Sequence, residues 1–291
     1  MSVSVLKKNR IKTMSNHKKE SPGLSSPFGE QGAVYIIKIG GNIIDNEEKF
    51  SSFLKEFASV EGKKILVHGG GKLATKLAEQ MNVPQQMVEG RRITDAETLK
   101  IVTMVYAGLI NKTIVARLQA NGCNALGLTG ADGNVIQAHK RVHSTTDYGF
   151  AGDVDSINSS LLQALLKQNI SLVIAPITHD KQGQLLNTNA DTIAQEIAKG
   201  LSQEFDVNLI YSFEKAGVLL DANDDSSVIN KINPASYKEL KEKNLVFAGM
   251  IPKLDNAFAA LNSGVKKVII GKAENLYQLL DGTSGTTIVN E

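Results

Sequence analysis

Apolar residues fall in short, nearly unbroken blocks at Val34–Ile39, Lys64–His68, Ala125–Leu128, Ser171–Pro176, Val207–Tyr211 and Lys266–Ile270. Runs of this length, rich in Val, Ile and Leu, predict strands buried on both faces. Between them lie segments whose apolar residues recur three and four positions apart. These predict helices over Glu47–Ser59, Lys72–Gln80, Asp95–Asn121, Ser156–Gln168, Ala190–Gly200, Pro234–Lys243 and Lys253–Ser263. The alternation of strand and helix predicts βαβ units on a mainly parallel sheet with helices on both faces.

Asp95–Asn121 is long for one helix and apolar on several sides. Thr94 and Asp95 offer N-cap chemistry and Gly122 offers a stop. Such a helix is buried in the domain or between subunits, and a subunit interface is expected here. Gly133–Arg141 and Thr178–Leu186 read as hairpins, and Asp221–Ser227 reads as a polar loop. A domain boundary is expected near Gly200–Glu204, and no repeat is visible.

Three strand ends carry glycines: Lys38-Ile-Gly-Gly41, His68-Gly-Gly-Gly71 and Gly127-Leu-Thr-Gly130. Glycine there either makes a tight turn or lets backbone N–H groups approach an anion beyond the strand ends. Three in one chain favour the anion reading. The P-loop pattern, GxGxxG and the protein-kinase motifs are absent from the sequence. Lys38 breaks an apolar strand just before its glycines; it either snorkels at the strand end or serves a site. Lys253 falls in a first helical turn, where the positive helix end disfavours a cation without an anion nearby. Asn189 suits an N-cap and Asp191 the first turn after it. Arg92 can make a two-pronged bond to a carboxylate, or be an ordinary surface arginine.

Composition adds limits. The chain has 291 residues, 42% hydrophobic and 21% charged, ordinary for a globular protein. No unbroken apolar run approaches the ~18 residues of a membrane span. The single cysteine, Cys123, excludes an internal disulfide and suits a reducing cytoplasm. Six Lys/Arg against two acids give residues 1–33 a charge of +4, which leaves −2 of the net +2 for the rest. That tail reads as a flexible basic arm, so the net positive charge is no argument for nucleic-acid binding.

In this order, "IIKIGG", "VHGGG", "EGRRIT", "GLTGADG", "LLNTNADTIA" and "AGMIPKLDNA" resemble the amino acid kinase family, from about Val34 to Ile288. The resemblance implies a three-layer αβα sandwich with a mainly parallel open sheet in two lobes. Residues 34–203 would bind an acylglutamate and dimerise, and residues 204–291 would bind ATP. It implies ATP-dependent phosphorylation of the γ-carboxylate of N-acetylglutamate in arginine biosynthesis, in the cytoplasm, by a homodimer joined through Asp95–Asn121. No nucleic acid and no membrane would be involved. Lys38 and Lys253 would neutralise the transferring phosphoryl group, and Asp191 would hold both. Gly40, Gly41, Gly70 and Gly71 would donate backbone N–H bonds, and Arg92 and Asn187 would bind substrate. Ser212, Gly217 and Asp221 would contact the nucleotide. Mg²⁺ would come with the ATP phosphates, with no metal ligand in the protein.

Two departures stand out. The family's nucleotide loop usually reads like "LSDVxGV", whereas this chain has "YSFEKAGVLLD" at Tyr211–Asp221, longer and without that aspartate. Arginine-inhibited members also carry an N-terminal helix that joins dimers into a hexamer. Pro22, Gly23, Pro27 and Gly29 oppose such a helix, so a dimer insensitive to arginine is expected. Other readings are N-succinylglutamate as substrate, a nucleoside monophosphate kinase of the family, or a non-catalytic sensor. A sensor would be expected to lack Lys38, Asp191 or Lys253, and all three are present.

Overall fold

The computed structural model describes residues 32–291 apart from 89, 222, 244 and 247–249. The expectations for the N-terminal tail therefore lie outside the described residues, except at Gly32 and Ala33.

One sheet of eight strands forms the centre. Its order is Lys231–Ile232, Thr286–Ile288, Lys267–Lys272, Asp206–Phe213, Ala33–Ile39, Lys63–His68, Ser171–Ile174, Ala125–Leu128. Every neighbouring pair is parallel except Thr286–Ile288 against Lys267–Lys272. The first strand is central, because both its neighbours pair along nearly all its length.

The period of two along that strand separates two cores. Tyr35, Ile37 and Ile39 face a cluster with Phe50, Phe53, Phe57 and Ile101. Val34 and Ile36 face the other cluster, with Leu162, Ile193, Ile197 and Leu254. Lys38 continues the second series, so the pleat turns it toward the helix Ala190–Leu201, which packs against this strand. The result is the three-layer αβα sandwich.

The helix Glu47–Ser59 has the predicted bounds, with Asn46 Oδ1 accepting from Lys49 N at 3.0 Å as its cap. Asp95 caps the long helix by accepting from Thr98 N, and Gly122 beyond its end has φ 75°. That helix runs Ala96–Ala120, and its turns widen to π-helical between Met104 and Ile110. By length and composition it is apolar enough to cross a membrane, although no unbroken apolar run is that long. Packing within the chain accounts for Leu99, Ile101, Val102, Val105, Ile110, Ile114 and Leu118, which lie in the first core, but Met104 and Leu109 are exposed.

Two expectations need correction, and two elements lie outside them. The segment Gly133–Arg141 is not a hairpin. Its strand Ile136–Lys140 pairs antiparallel with Ala151–Ile157, beyond a long connection, and these two close a small barrel with Ile177–His179 and Leu185–Thr188. The helix expected from Ser156 begins at Ser159, because Ser156 and Ile157 still belong to the strand and Asn158 caps. The helix Leu276–Asp281 and the strand Thr286–Ile288 were not expected at all. The expected boundary at Gly200–Glu204 falls between the helix Ala190–Leu201 and the strand Asp206–Phe213, yet the sheet runs through it unbroken.

His68 closes the second strand inside the core and is fully buried. Its Nδ1 lies 2.9 Å from Gly69 O and its Nε2 lies 3.3 Å from Asn111 Nδ2. A neutral ring satisfies both contacts, donating to the carbonyl and accepting from the amide. Burial first, and the Lys112 charge to a lesser degree, push its pKa from 6.5 down to about 4. The folded pKa is below the unfolded one, so this stabilisation is complete above pH 6.5 and is lost as pH falls toward 4. Urea unfolding should show stability falling by up to about 1.4 kcal/mol per pH unit from this group across that window. His68→Asn should flatten that part of the profile. An unchanged slope in the variant would contradict a neutral buried ring.

Candidate active site

Two strand ends turn on glycines side by side, and Gly69 N donates to Ile39 O at 3.1 Å, tying the turns together. Gly40 is extended and opens the short helix Gly41–Ile44; a Cβ there would meet nothing within 4 Å. Gly70 has φ 148°, and a Cβ there would lie 2.2 Å from Ile110 Cδ1 and 3.2 Å from the Tyr106 ring. Glycine is required at Gly70 on both counts. The third glycine turn differs. A Cβ on Gly127 would lie 2.0 Å from Asn111 Oδ1, and one on Gly130 would lie 2.7 Å from Ile136 O. These glycines permit close packing and line neither cavity described below.

Two cavities open beyond the strand ends. The larger, about 380 Å³, is lined by Gly40, Asn42, Lys49, Ser212, Phe213 and Gly217, among others. The smaller, about 190 Å³, is lined by Gly70, Gly71, Arg91, Arg92, Tyr106 and Asn187, among others. Lys38, Asp191 and Lys253 gather where the two approach. Asp191 follows Asn189 and Ala190, which line the smaller cavity, while Phe213, which lines the larger, contacts both lysines.

Asn189 Oδ1 accepts from Asp191 N at 2.9 Å and Thr192 N at 3.1 Å, so the capping reading of Asn189 holds. The cap sets Asp191 in the first turn of Ala190–Leu201, where its Oδ1 lies 2.8 Å from Lys38 Nζ. This is an ion pair rather than an aligned hydrogen bond, because the same buried oxygen has no donor in hydrogen-bond geometry. The Lys38 side chain is 11% exposed and its ammonium faces Asp191. Burial pushes the Lys253 pKa down; the Asp191 charge opposes this and the Lys38 charge adds to it. Two cations thus share one carboxylate. Burial also pushes the Tyr211 phenol up, reinforced by Asp191 and Glu196, so its hydroxyl stays protonated and donates to Asp191 O at 3.4 Å.

Arg92 is placed in the smaller cavity, and part of its donor set is already taken up by the protein. It is buried, and its guanidinium donates to Gly71 O at 2.9 Å, Thr75 Oγ1 at 2.8 Å and Gln85 Oε1. It therefore fixes the second glycine turn. Arg91 lines the same cavity, its backbone paired with Val88, and its side chain makes no hydrogen bond or ion pair among the described residues. Asn187 donates to Thr94 Oγ1 at 3.0 Å. Ser212 is buried on the edge of the larger cavity with its hydroxyl unpartnered, and so can bond a ligand there. Gly217 lets the chain pass Thr286, since a Cβ would lie 2.7 Å from Thr286 Oγ1. Asp221 is exposed and outside that lining; its carboxylate accepts from Asn223 N within the loop. Phe213 and Tyr106 were missed. The alternation of Tyr211 with Phe213 could have signalled the first, and an aromatic near the middle of the long helix the second.

The amino acid kinase family model matches residues 33–272. The chain belongs to the amino acid kinase family. Within the family it is 58% identical over 259 residues to an acetylglutamate kinase of Cytophaga hutchinsonii, covering 88% of this chain and 98% of that one. It is 38% identical to an acetylglutamate kinase of Methanopyrus kandleri, covering 84% of this chain and 96% of that one. Among solved structures, carbamate kinase from Giardia superposes with a TM-score of 0.66 at 14% identity, over 90% of this chain and all of that one, which is a likeness of fold alone.

Proposed function

We propose that the chain transfers the γ-phosphoryl group of ATP to the γ-carboxylate of N-acetylglutamate, giving N-acetylglutamyl 5-phosphate for arginine biosynthesis. The observation that carries this reading is the Lys38–Asp191–Lys253 cluster between two cavities of unequal size. The larger cavity takes the nucleotide, with Gly40 and Gly41 offering backbone donors and Ser212 and Gly217 beside it. The smaller takes the acylglutamate against Gly70, Gly71 and Asn187, with Arg92 holding the turn. The proposed division at residues 203 and 204 is looser for the nucleotide, whose cavity draws on Gly40, Asn42 and Lys49 as well as on the C-terminal part.

A carboxylate is ionised at pH 7 and needs no general base. Its oxygen forms the new O–P bond as the bond to the β–γ bridging oxygen breaks, and ADP leaves with that electron pair. Charge develops on the phosphoryl oxygens in transit, where Lys38 and Lys253 stabilise it electrostatically. Mg²⁺ suits the nucleotide's phosphate oxygens and, when bound there, screens their charge. A cytoplasmic setting accords with one buried free cysteine.

Arg91 favours a second reading of the acyl group. A guanidinium without a partner among the described residues in the smaller cavity suits an acyl chain that ends in a carboxylate, as in N-succinylglutamate. ATP-dependent hydroxamate formation with the two substrates side by side should show turnover of at least one. No turnover of either would sink the kinase reading. In the same assay Lys253→Ala should lower kcat by ~100-fold, with a much smaller change in KM for acylglutamate. Equal losses would contradict its role.

We also propose a homodimer through Ala96–Ala120, where the large apolar side chains of Met104 and Leu109 are 51% and 57% exposed. Light scattering should give a dimer for the wild type and a monomer for Leu109→Glu. A monomeric wild type would contradict the assignment.

A further inference from the structure

Phe213 ends the strand Asp206–Phe213 and lines the larger cavity. Lys253 Nζ lies 3.7 Å from its ring centroid, and Lys38 Nζ lies 5.8 Å from the same centroid. Tyr211, two residues earlier on the same strand face, stacks with the ring at 6.2 Å between centroids and 17° between planes. Tyr211 is in turn tied to the helix of Asp191 by its hydroxyl, and its backbone lies in register with Lys38. One ring therefore meets both lysines and is braced by the residue that touches the third member of the cluster.

The charges make this contact consequential. Asp191 already pairs with Lys38, and among the described residues no carboxylate pairs directly with Lys253. A half-buried ammonium without a counter-ion would ordinarily turn to water. An aromatic face attracts it through the ring quadrupole, more strongly when water is excluded. It does so without adding negative charge.

We propose that Phe213 is the positioning residue for the two transfer lysines, its π face holding the Lys253 ammonium toward the path of the phosphoryl group with its charge intact. This rests on the transfer roles proposed above for Lys38 and Lys253. A ring of this kind acts on the step in which the lysines meet developing charge, not on the acylglutamate, whose cavity it does not line.

The test is steady-state kinetics of the full chain with Phe213→Leu, Phe213→Met, Phe213→Tyr, Lys253→Ala and the Phe213→Leu/Lys253→Ala pair. Leu and Met keep most of the volume and remove the π face; either serves if the other fails to fold. They should lower kcat by about 5- to 30-fold, the range that a desolvated cation–π contact supports. KM for acylglutamate should stay within about 2-fold, since no contact to it is lost. Phe213→Tyr should return kcat to within about 3-fold of wild type. In the Lys253→Ala background the Leu substitution should have little further effect, because its principal partner is gone. Wild-type kcat in both the Leu and Met variants would overturn the proposal, as would an equal loss with and without Lys253. If Lys253→Ala itself leaves turnover intact, the lysine assignment falls first and the proposal with it.

Discussion

The structure depends on a crowded charge arrangement: two ammonium groups and one carboxylate held together at the carboxyl edge of a parallel sheet. Like charges gathered away from bulk water repel, so such a cluster forms only where the scaffold imposes it. Asp191 answers one lysine through its 2.8 Å contact and a ring answers the other. The cluster keeps one positive charge in excess, at a place where a phosphoryl group gaining negative charge would relieve it.

The scaffold imposes it by local rules. Strand alternation sends Lys38 to the same face as Val34 and Ile36, and the capped start of Ala190–Leu201 lies over that face. The sheet order sets Asp206–Phe213 directly beside the first strand, which brings Tyr211 and Phe213 alongside Lys38. The fully buried Ile36, Ile37, Leu209 and Ile210 fix those two strands from both faces, so the charged ends have little freedom to part. The glycine turns then place backbone rather than side chains next to the reacting region.

Much of this was legible from the chain alone, and the division follows the range of the interactions. Six of the eight strands of the main sheet, and the roles of Asn189 and Asp95 as caps, depend on neighbours within a few residues, which a pattern reports. The capture of Arg92 by Gly71, Thr75 and Gln85 depends on segments up to 21 residues apart, which spacing does not report. The small barrel is not legible in the pattern because Ile136–Lys140 finds its partner beyond a long connection rather than across a tight turn. The glycines at Gly127 and Gly130 look like those at Gly40 and Gly70, yet only three-dimensional packing shows that Asn111 and Ile136 crowd them. The alternation of Tyr211 with Phe213 signals a shared strand face, but the meeting of the Phe213 ring with Lys38 and Lys253 joins segments far apart in the chain.

The central claim is that the lysine pair acts on the phosphoryl group in transit rather than on bound reactants. Isothermal titration of aluminium fluoride, a planar mimic of that group, into the enzyme with ADP, Mg²⁺ and acylglutamate tests it most directly. Lys38→Met should weaken binding of the mimic by about 100-fold or more while changing the affinities for ADP and acylglutamate by less than about 3-fold. Equal weakening of mimic and reactants would contradict the account.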